Sequence, residues 1–226
     1  MSFNTFMYIL IIPAFILTIW AQFRVKGTYN KWREIPVNSG ITGYQAARHM
    51  LDTNGLQDVQ IVTVPGTLSD HYNPVNRTVA LSEDVYYGNS ISSVSVACHE
   101  IGHAIQHKEA YPMLSLRHKI FPVVNFASGI APFLILAGFL FSATGLIGVG
   151  ILFFAVTVVF QLITLPVEFN ASNRAREIMV SEGFITNEEE RGVGKVLNAA
   201  ALTYVAAALV SLLELIRLIG IFNNRD

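Results

Sequence analysis

The sequence predicts a mainly α-helical membrane protein with four transmembrane helices and a small α+β domain in the cytoplasm. Of the 226 residues, 52% are hydrophobic and only 14% are charged. This composition is too apolar for an ordinary soluble domain. Long uncharged stretches alternate with polar segments, and the basic residues are concentrated in the two longest polar segments.

The first uncharged stretch covers residues 3–23. At about 1.5 Å per residue, a helix of this length spans the roughly 30 Å of hydrocarbon in a bilayer. A cleaved signal peptide would instead have basic residues before the apolar run and a small-residue cleavage site after it. The sequence has neither feature, so residues 1–23 are predicted to be a transmembrane anchor.

The second stretch lies between Lys119 and Glu168 and contains no charged side chain. A single helix of this length would be about twice as long as a membrane crossing requires. Glycine and hydroxyl residues between 142 and 148 predict a turn, which gives a transmembrane hairpin over 121–167. The last stretch, 197–222, contains Glu214 and Arg217, which lie one turn apart and can pair. The predicted segments are therefore 1–23, 24–120, 121–167, 168–196 and 197–226.

The basic residues predict the orientation of these helices. Nine lie in 24–119, four in 174–195 and two further on, at Arg217 and Arg225. The positive-inside rule therefore places both polar segments in the cytoplasm. The net charge of −1 gives no indication of a nucleic-acid partner. Cys98, the single cysteine, excludes an internal disulfide and a four-cysteine zinc module.

The polar segments contain weaker signals of secondary structure. A short amphipathic helix is expected within 39–56. Two β-rich runs, 59–64 and 78–81, are separated by the turn-forming stretch 65–76 and predict a small hairpin or sheet. Helical spacing of small and apolar residues predicts a helix over 90–108.

That last helix contains the motif His99-Glu100-Ile101-Gly102-His103. Residues four apart on a helix lie on one face, so the two imidazoles can bind one ion. Zinc accepts neutral histidine nitrogens, and catalytic zinc sites use three protein ligands and leave one position open. Glu100 is next to the first histidine and is expected to act as general base. These features predict a zincin-like domain that binds Zn2+.

The third ligand is not adjacent to this motif. A longer three-histidine pattern is disfavoured, because Gln106 and Glu109 occupy the positions that it requires to be glycine and histidine. His107 lies about 12 Å along the helix from His99, too far to share its ion. Glu168 is the first acidic residue after Glu109, and the two crossings of the hairpin return it to the side of His103. Glu177 is the alternative ligand.

Three blocks of sequence resemble the YugP-type family of bacterial membrane zinc metallopeptidases. They are Gly66-Thr-Leu-Ser-Asp-His-Tyr-Asn-Pro74, His99-Glu-Ile-Gly-His-Ala-Ile-Gln106 and Pro166-Val-Glu-Phe-Asn-Ala-Ser172. The resemblance implies a neutral zinc peptidase of a bacterial cell membrane, with His99, His103 and Glu168 as ligands and Glu100 as the catalytic residue. More distantly similar HtpX-like peptidases have an aspartate where this chain has Ser172. Asn170 or Asn173 are therefore candidates for orienting a ligating histidine.

A tetrahedral intermediate needs a hydrogen-bond donor opposite the metal, and His71, Tyr72 and Arg174 are the candidates. We expect His71 and Arg174 to be catalytic. The predicted strand 78–81 is a candidate for binding an extended substrate by strand addition.

The leading hypothesis is hydrolysis of protein or peptide substrates at the cytoplasmic surface of the bilayer. Cleavage inside the bilayer is disfavoured, because serines and the sequence Gln106-His-Lys-Glu109 flank the zinc motif. The alternative is a zinc-containing membrane scaffold or chaperone subunit with little turnover. A transporter fits less well, because the apolar stretches show no inverted repeat. Small residues in these stretches are compatible with a homo-oligomer or membrane partner proteins.

Overall fold

The computed structural model describes residues 3–223 of a mainly helical protein. The predicted C-terminal tail, with Arg225, and the first two residues of the predicted anchor lie outside the described residues. The elements in chain order are the helices and strands α1 Phe3–Arg33, α2 Gly43–Thr53, β1 Gln60–Val64, β2 His71–Asn73, β3 Thr78–Ser82, α3 Glu83–Tyr87, α4 Ile91–Lys108, α5 Pro112–Leu140, α6 Thr144–Ser181 and α7 Asn187–Asn223.

Four helices, α1, α5, α6 and α7, are long and apolar enough to cross a membrane. Their surfaces present many large apolar side chains, among them Phe23, Phe126, Phe133 and Leu152, which are 63% to 73% exposed. So much exposed apolar surface is unfavourable in water but suits contact with lipid tails. The described residues therefore contain four candidate membrane-spanning helices, in the four stretches where the sequence predicted them.

The hairpin turn between α5 and α6 covers residues 141–143. Ser142 adopts a left-handed conformation there, with φ of 52°. Gly145 and Gly148, which were predicted to belong to the turn, instead lie inside α6. The turn is tighter than the prediction because one left-handed residue is enough to reverse the chain.

The described chain divides into two compact units. The first contains residues up to Gln22, Ser115–Pro166 and the chain from Leu202 onward. Its buried cluster contains Ile147, Ile151 and Leu218. The second unit contains Phe23–Leu114 and Val167–Ala201, with the whole sheet and most of the buried apolar core. The roles assigned above to the five predicted segments stay predictions.

The sheet has three strands in the order β1-β3-β2. β1 runs parallel to β3, with Gln60 opposite Thr78, and β2 runs antiparallel to β3, with His71 opposite Ala80. β2 lies in the stretch that was predicted to be a turn, because three residues are too few to show an alternating pattern. β3 is central and paired on both sides, so the prediction that it receives a substrate strand is wrong. The outer edges of this sheet belong to β1 and β2.

Helix α4 carries the zinc motif and begins at a serine cap. The Ser90 hydroxyl accepts a hydrogen bond from the backbone N–H of Ser93, which satisfies one donor of the first turn. Ser92 and Ser93 are buried, and each donates its hydroxyl to a backbone carbonyl. Hydroxyls that bind backbone in this way fit a helix of a folded polar domain. α4 is not among the four apolar helices of the described chain.

Gly102 lets the backbones of α4 and α6 approach closely. A Cβ atom built at Gly102 would lie 2.7 Å from the carbonyl oxygen of Ala171 and 3.1 Å from its Cα. Any larger side chain would push the two helices apart. Glu168 is one turn before Ala171 on α6. The glycine contact therefore holds Glu168 beside the histidines of α4.

Candidate metal centre

His99, His103 and Glu168 converge in the second unit. The two imidazole rings on α4 lie with centroids 4.8 Å apart. Glu168 Oε2 is 3.3 Å from His99 Nε2 and 3.5 Å from His103 Nε2. All three side chains have a ligand atom within 4.8 Å of the others. Residues 65 positions apart in sequence (168 − 103) thus form one cluster that is able to hold a metal ion.

The geometry of this cluster fits zinc. For metal–ligand bonds of about 2.0 to 2.1 Å, tetrahedral angles place neighbouring ligand atoms about 3.3 to 3.4 Å apart. The two measured nitrogen–oxygen distances, 3.3 and 3.5 Å, are close to that separation. Two imidazoles and one carboxylate are also a donor set found in catalytic zinc sites. His99, His103 and Glu168 therefore suit a zinc ion with a fourth position open.

The second nitrogen of His103 is fixed by a chain of side-chain amides. Its Nδ1 lies 3.0 Å from Gln106 Oε1. The Gln106 amide donates to the Val167 carbonyl at 2.8 Å and to Asn170 Oδ1 at 2.9 Å. Those two bonds fix the amide with its oxygen toward the histidine. An amide oxygen has no proton, so Nδ1 must donate, and Nε2 of the neutral ring has its lone pair toward Glu168.

Arg174 completes this chain of contacts. Its Nε donates to Asn170 Oδ1 at 2.8 Å, and its Nη2 pairs with Glu109 at 2.7 Å. Asn170 Oδ1 thus accepts from both Arg174 and Gln106, which determines the orientation of its amide. The guanidinium is engaged by these two residues, and its predicted contact with a substrate oxyanion stays a prediction. The contacts that are present orient the ligand His103.

The second nitrogen of His99 is paired separately. Ser172 Oγ lies 3.1 Å from His99 Nδ1, so the serine itself occupies the position of an orienting partner for this ring. Of the two asparagines considered for this role, Asn170 belongs to the His103 chain, and Asn173 is exposed. The orienting partner of His99 is therefore a neutral hydroxyl rather than a carboxylate.

The charges around His103 favour a cation. Burial by itself would lower the pKa of His103, but the hydrogen bond to Glu168, together with the negative charges of Glu168 and Glu100, outweighs it and raises the pKa. The same negative charges attract a metal ion to Nε2. In the absence of a metal, a proton occupies this position more readily than on an ordinary histidine.

Glu100 is buried on α4, only 9% exposed, and follows His99 directly. Its charge acts on a second acidic residue, Asp70. Burial raises the pKa of Asp70, and the negative charge of Glu100 raises it further, whereas hydrogen bonds from Ser82 lower it. The backbone N–H of Ser82 donates to Asp70 at 2.7 Å. This bond attaches the loop before β2 to β3. Sequence reasoning did not predict this second carboxyl group, whose pKa the charge of Glu100 helps to raise.

The remaining predicted residues have specific partners. His71 is exposed, and its Nδ1–H donates to the Ser69 carbonyl at 2.9 Å. A neutral His71 therefore has no second N–H for an oxyanion, and its catalytic role stays a prediction. The Tyr72 hydroxyl lies 2.8 Å from His107 Nδ1. Glu177, the alternative ligand, is exposed and is not part of the cluster.

The sequence analysis did not predict that Gln106 contacts His103. Gln106 follows His103 by three positions, a helical spacing that brings side chains together.

Replacement of the carboxylate should weaken metal binding. We expect Glu168→Gln to lower zinc affinity by at least about tenfold, because a neutral amide is a poorer zinc ligand than a carboxylate. Glu177→Gln is the matched control, since it makes the same change on the same helix at an exposed position. Metal content and competition with a chelator would measure both variants. Equal affinity in the two variants would contradict the assignment of Glu168.

The orienting serine gives a second test. Ser172→Ala should lower zinc affinity about 10-fold to 100-fold, because loss of a partner to a ligating histidine has effects of this size. Ser95→Ala is the control, since Ser95 is also buried but its hydroxyl binds only the Ile91 carbonyl of its own helix. The same chelator competition would compare them. A loss of affinity in Ser95→Ala as large as in Ser172→Ala would indicate general destabilisation instead.

Comparison with known proteins identifies the family of this chain. Residues 7–223 match the model of a family described as "Putative neutral zinc metallopeptidase". The chain is 62% identical over 218 residues to "Putative membrane protease YugP" of Bacillus subtilis (strain 168), and the alignment covers 96% of this chain and 97% of that relative. No solved structure gives a significant match. A family match over nearly the whole chain means that this protein belongs to the neutral zinc metallopeptidase family.

Proposed function

We propose that this protein is a membrane-embedded zinc endopeptidase that hydrolyses protein or peptide substrates at the cytoplasmic surface of the membrane. The observation that carries the proposal is the convergence of His99, His103 and Glu168 within 4.8 Å, with the buried Glu100 next to His99. The family match and the name of the Bacillus subtilis relative support it further. A structural zinc site would close the fourth position with protein.

The residues divide the chemistry between them. His99, His103 and Glu168 would hold the metal, which when bound supplies Lewis acidity toward a water molecule and the scissile carbonyl. Glu100 takes a proton from the attacking water as its oxygen bonds to the carbonyl carbon. Glu100 then gives that proton to the leaving amine as the carbon–nitrogen bond breaks. Burial of Glu100 favours this exchange, because the carboxylate is shielded from competing solvent.

β2 is the strand that we expect to bind substrate. Among the described residues it pairs with β3 on one side only. Tyr72 of β2 contacts His107, which is one turn beyond His103 on α4. β2 is therefore the sheet edge beside the metal-binding helix. An extended substrate added to this edge would make backbone hydrogen bonds and little sequence-specific contact, which suits flexible or membrane-associated chains.

The cytoplasmic placement rests on the distribution of basic residues. Thirteen of the fifteen lie in the two polar segments between apolar helices, nine in 24–119 and four in 174–195. The positive-inside rule assigns such segments to the cytoplasm. Both segments contribute to the metal cluster, through α4 and through the part of α6 after residue 167. If the rule holds for these two segments, all three residues of the metal cluster are on the cytoplasmic side.

Glu100→Gln tests the catalytic step. We expect peptide or casein cleavage to fall by at least about 100-fold, because a positioned general base contributes about 10²-fold to 10⁴-fold. Zinc content should be unchanged, since Glu100 is not in the metal cluster. Purified wild-type protein and variant in detergent would be compared by cleavage assay and metal analysis. Equal cleavage by both would reject the mechanism, and zinc-loaded wild-type protein without any cleavage would favour the scaffold alternative.

Cysteine labelling tests the orientation. Cys98 is buried, and burial raises its thiol pKa, so it should give little background. We introduce Asn76→Cys in the exposed loop after β2 and, as the opposite control, Ser142→Cys in the exposed hairpin turn. In intact cells a membrane-impermeant maleimide should label the variant at 142 but label the variant at 76 only after permeabilisation. The reverse pattern would overturn the cytoplasmic placement.

A further inference from the structure

A basic pocket lies on the C-terminal part of α1. Its volume is about 370 Å³, and it is lined by Arg24, Gly27, Thr28, Lys31, Trp32 and Lys195. Three of these six side chains are cationic and none is acidic. Lys195 comes from α7, so the pocket joins two helices of the second unit. A concave surface of one charge sign attracts an oppositely charged ligand more strongly than scattered charges do.

Trp32 is positioned by tight packing against α7. A Cβ atom built at Gly192 would lie 2.6 Å from the Trp32 ring, so the indole rests directly on the helix backbone. Lys195 Nζ lies 5.6 Å and Lys31 Nζ lies 6.0 Å from the centroid of this ring. Both distances are within the range of cation–π attraction, so the ring helps to position both ammonium groups.

Gly27 faces open space on the α1 side of the pocket. A Cβ atom built there would meet nothing within 4 Å apart from the adjacent backbone of its own helix. Thr28, half-buried on the next position, adds a hydroxyl. Guanidinium, ammonium and hydroxyl groups together are donors that suit the several acceptor oxygens of a phosphate group.

The place of these residues along their helices indicates the source of the phosphate. Arg24 follows the apolar residues 3–23 directly, and Lys195 precedes the apolar residues 197–222 by two positions. Lys31 is eight positions after residue 23, which is about 12 Å along the helix. The headgroup layer extends about 5 to 8 Å beyond the hydrocarbon, and lysine side chains extend toward it. Basic residues within about 15 to 20 residues of a span end are typical of the cytoplasmic side of a membrane.

We propose that this pocket binds the phosphate of an anionic phospholipid headgroup. The lipid would then connect the ends of α1 and α7 on the side of the membrane where the metal cluster is proposed to lie. The proposal requires α1 and α7 to cross a membrane but does not depend on peptidase activity. It differs from general attraction of the basic segments to an anionic surface, because only residues that line the pocket should matter.

Tryptophan fluorescence of the full chain tests the pocket directly. The sequence has two tryptophans, so Trp20→Phe leaves Trp32 as the only one. In detergent, short-chain phosphatidylglycerol should change the Trp32 emission in a saturable way. Phosphatidylcholine and inorganic phosphate at the same concentration should each bind at least about tenfold more weakly, because the first has no net charge and the second has no acyl chain.

Comparison of lysine variants inside and outside the pocket distinguishes a specific binding site from general attraction of basic residues to an anionic lipid. Lys31→Gln combined with Lys195→Gln, in the same Trp20→Phe background, should weaken phosphatidylglycerol binding by about tenfold or more. Lys26→Gln is the single-charge control, compared with each of the other two substitutions alone. Lys26 is exposed, lies closer to the apolar segment than Lys31 does, and does not line the pocket. We expect its effect to be less than twofold.

Native mass spectrometry of the same variants provides an independent count of bound lipid. One phosphatidylglycerol retained by the parent chain and lost from the double variant supports the site. An equal loss of affinity in Lys26→Gln and Lys31→Gln would overturn it in favour of diffuse attraction. A response to inorganic phosphate as strong as that to phosphatidylglycerol would overturn the lipid as the occupant, and the absence of a saturable response would overturn the pocket itself.

Discussion

The backbone contact between α4 and α6 is the constraint on which the metal cluster depends. At Gly102 the two helices are so close that even a methyl group would meet the carbonyl of Ala171 at 2.7 Å. The imidazoles of α4 and the carboxylate of α6 reach each other only because of this approach. The close approach brings the three side chains together because of their places on the two helices. Glu168 is one turn before Ala171 on α6, and His99 and His103 lie on either side of Gly102 in the sequence of α4.

Electrostatics then favours positive charge at this contact. Glu168 is only 3% exposed, and a buried carboxylate is unfavourable unless an opposite charge or hydrogen bonds compensate it. His103 Nδ1 donates its proton to Gln106. The Nε2 atom of a neutral His103 therefore offers Glu168 a lone pair and no proton. A metal ion satisfies both groups at once. The amides of Gln106 and Asn170 and the guanidinium of Arg174 make this arrangement the favoured one.

The helix that carries the two histidines belongs to the polar part of the chain. α4 begins with buried, hydrogen-bonded serines and is not one of the apolar helices of the described chain. The three-stranded sheet adds β2, a polar edge beside that helix. Water and an extended peptide backbone are both required for peptide hydrolysis, and a polar domain admits them where hydrocarbon does not. The polar second unit therefore provides the surroundings that the proposed hydrolysis needs.

The sequence by itself determined the properties that depend on local pattern. Hydrophobicity along the chain is enough to locate four apolar helices, and the four-residue spacing of His99 and His103 is enough to place both on one helix face. Glu168 was reached by elimination, as the first carboxylate after the hairpin. Tertiary structure alone decided the central position of β3, the strand β2, and the partners Gln106 and Ser172. Those features arise from contacts between segments far apart in sequence, which leave no periodic signal in either segment.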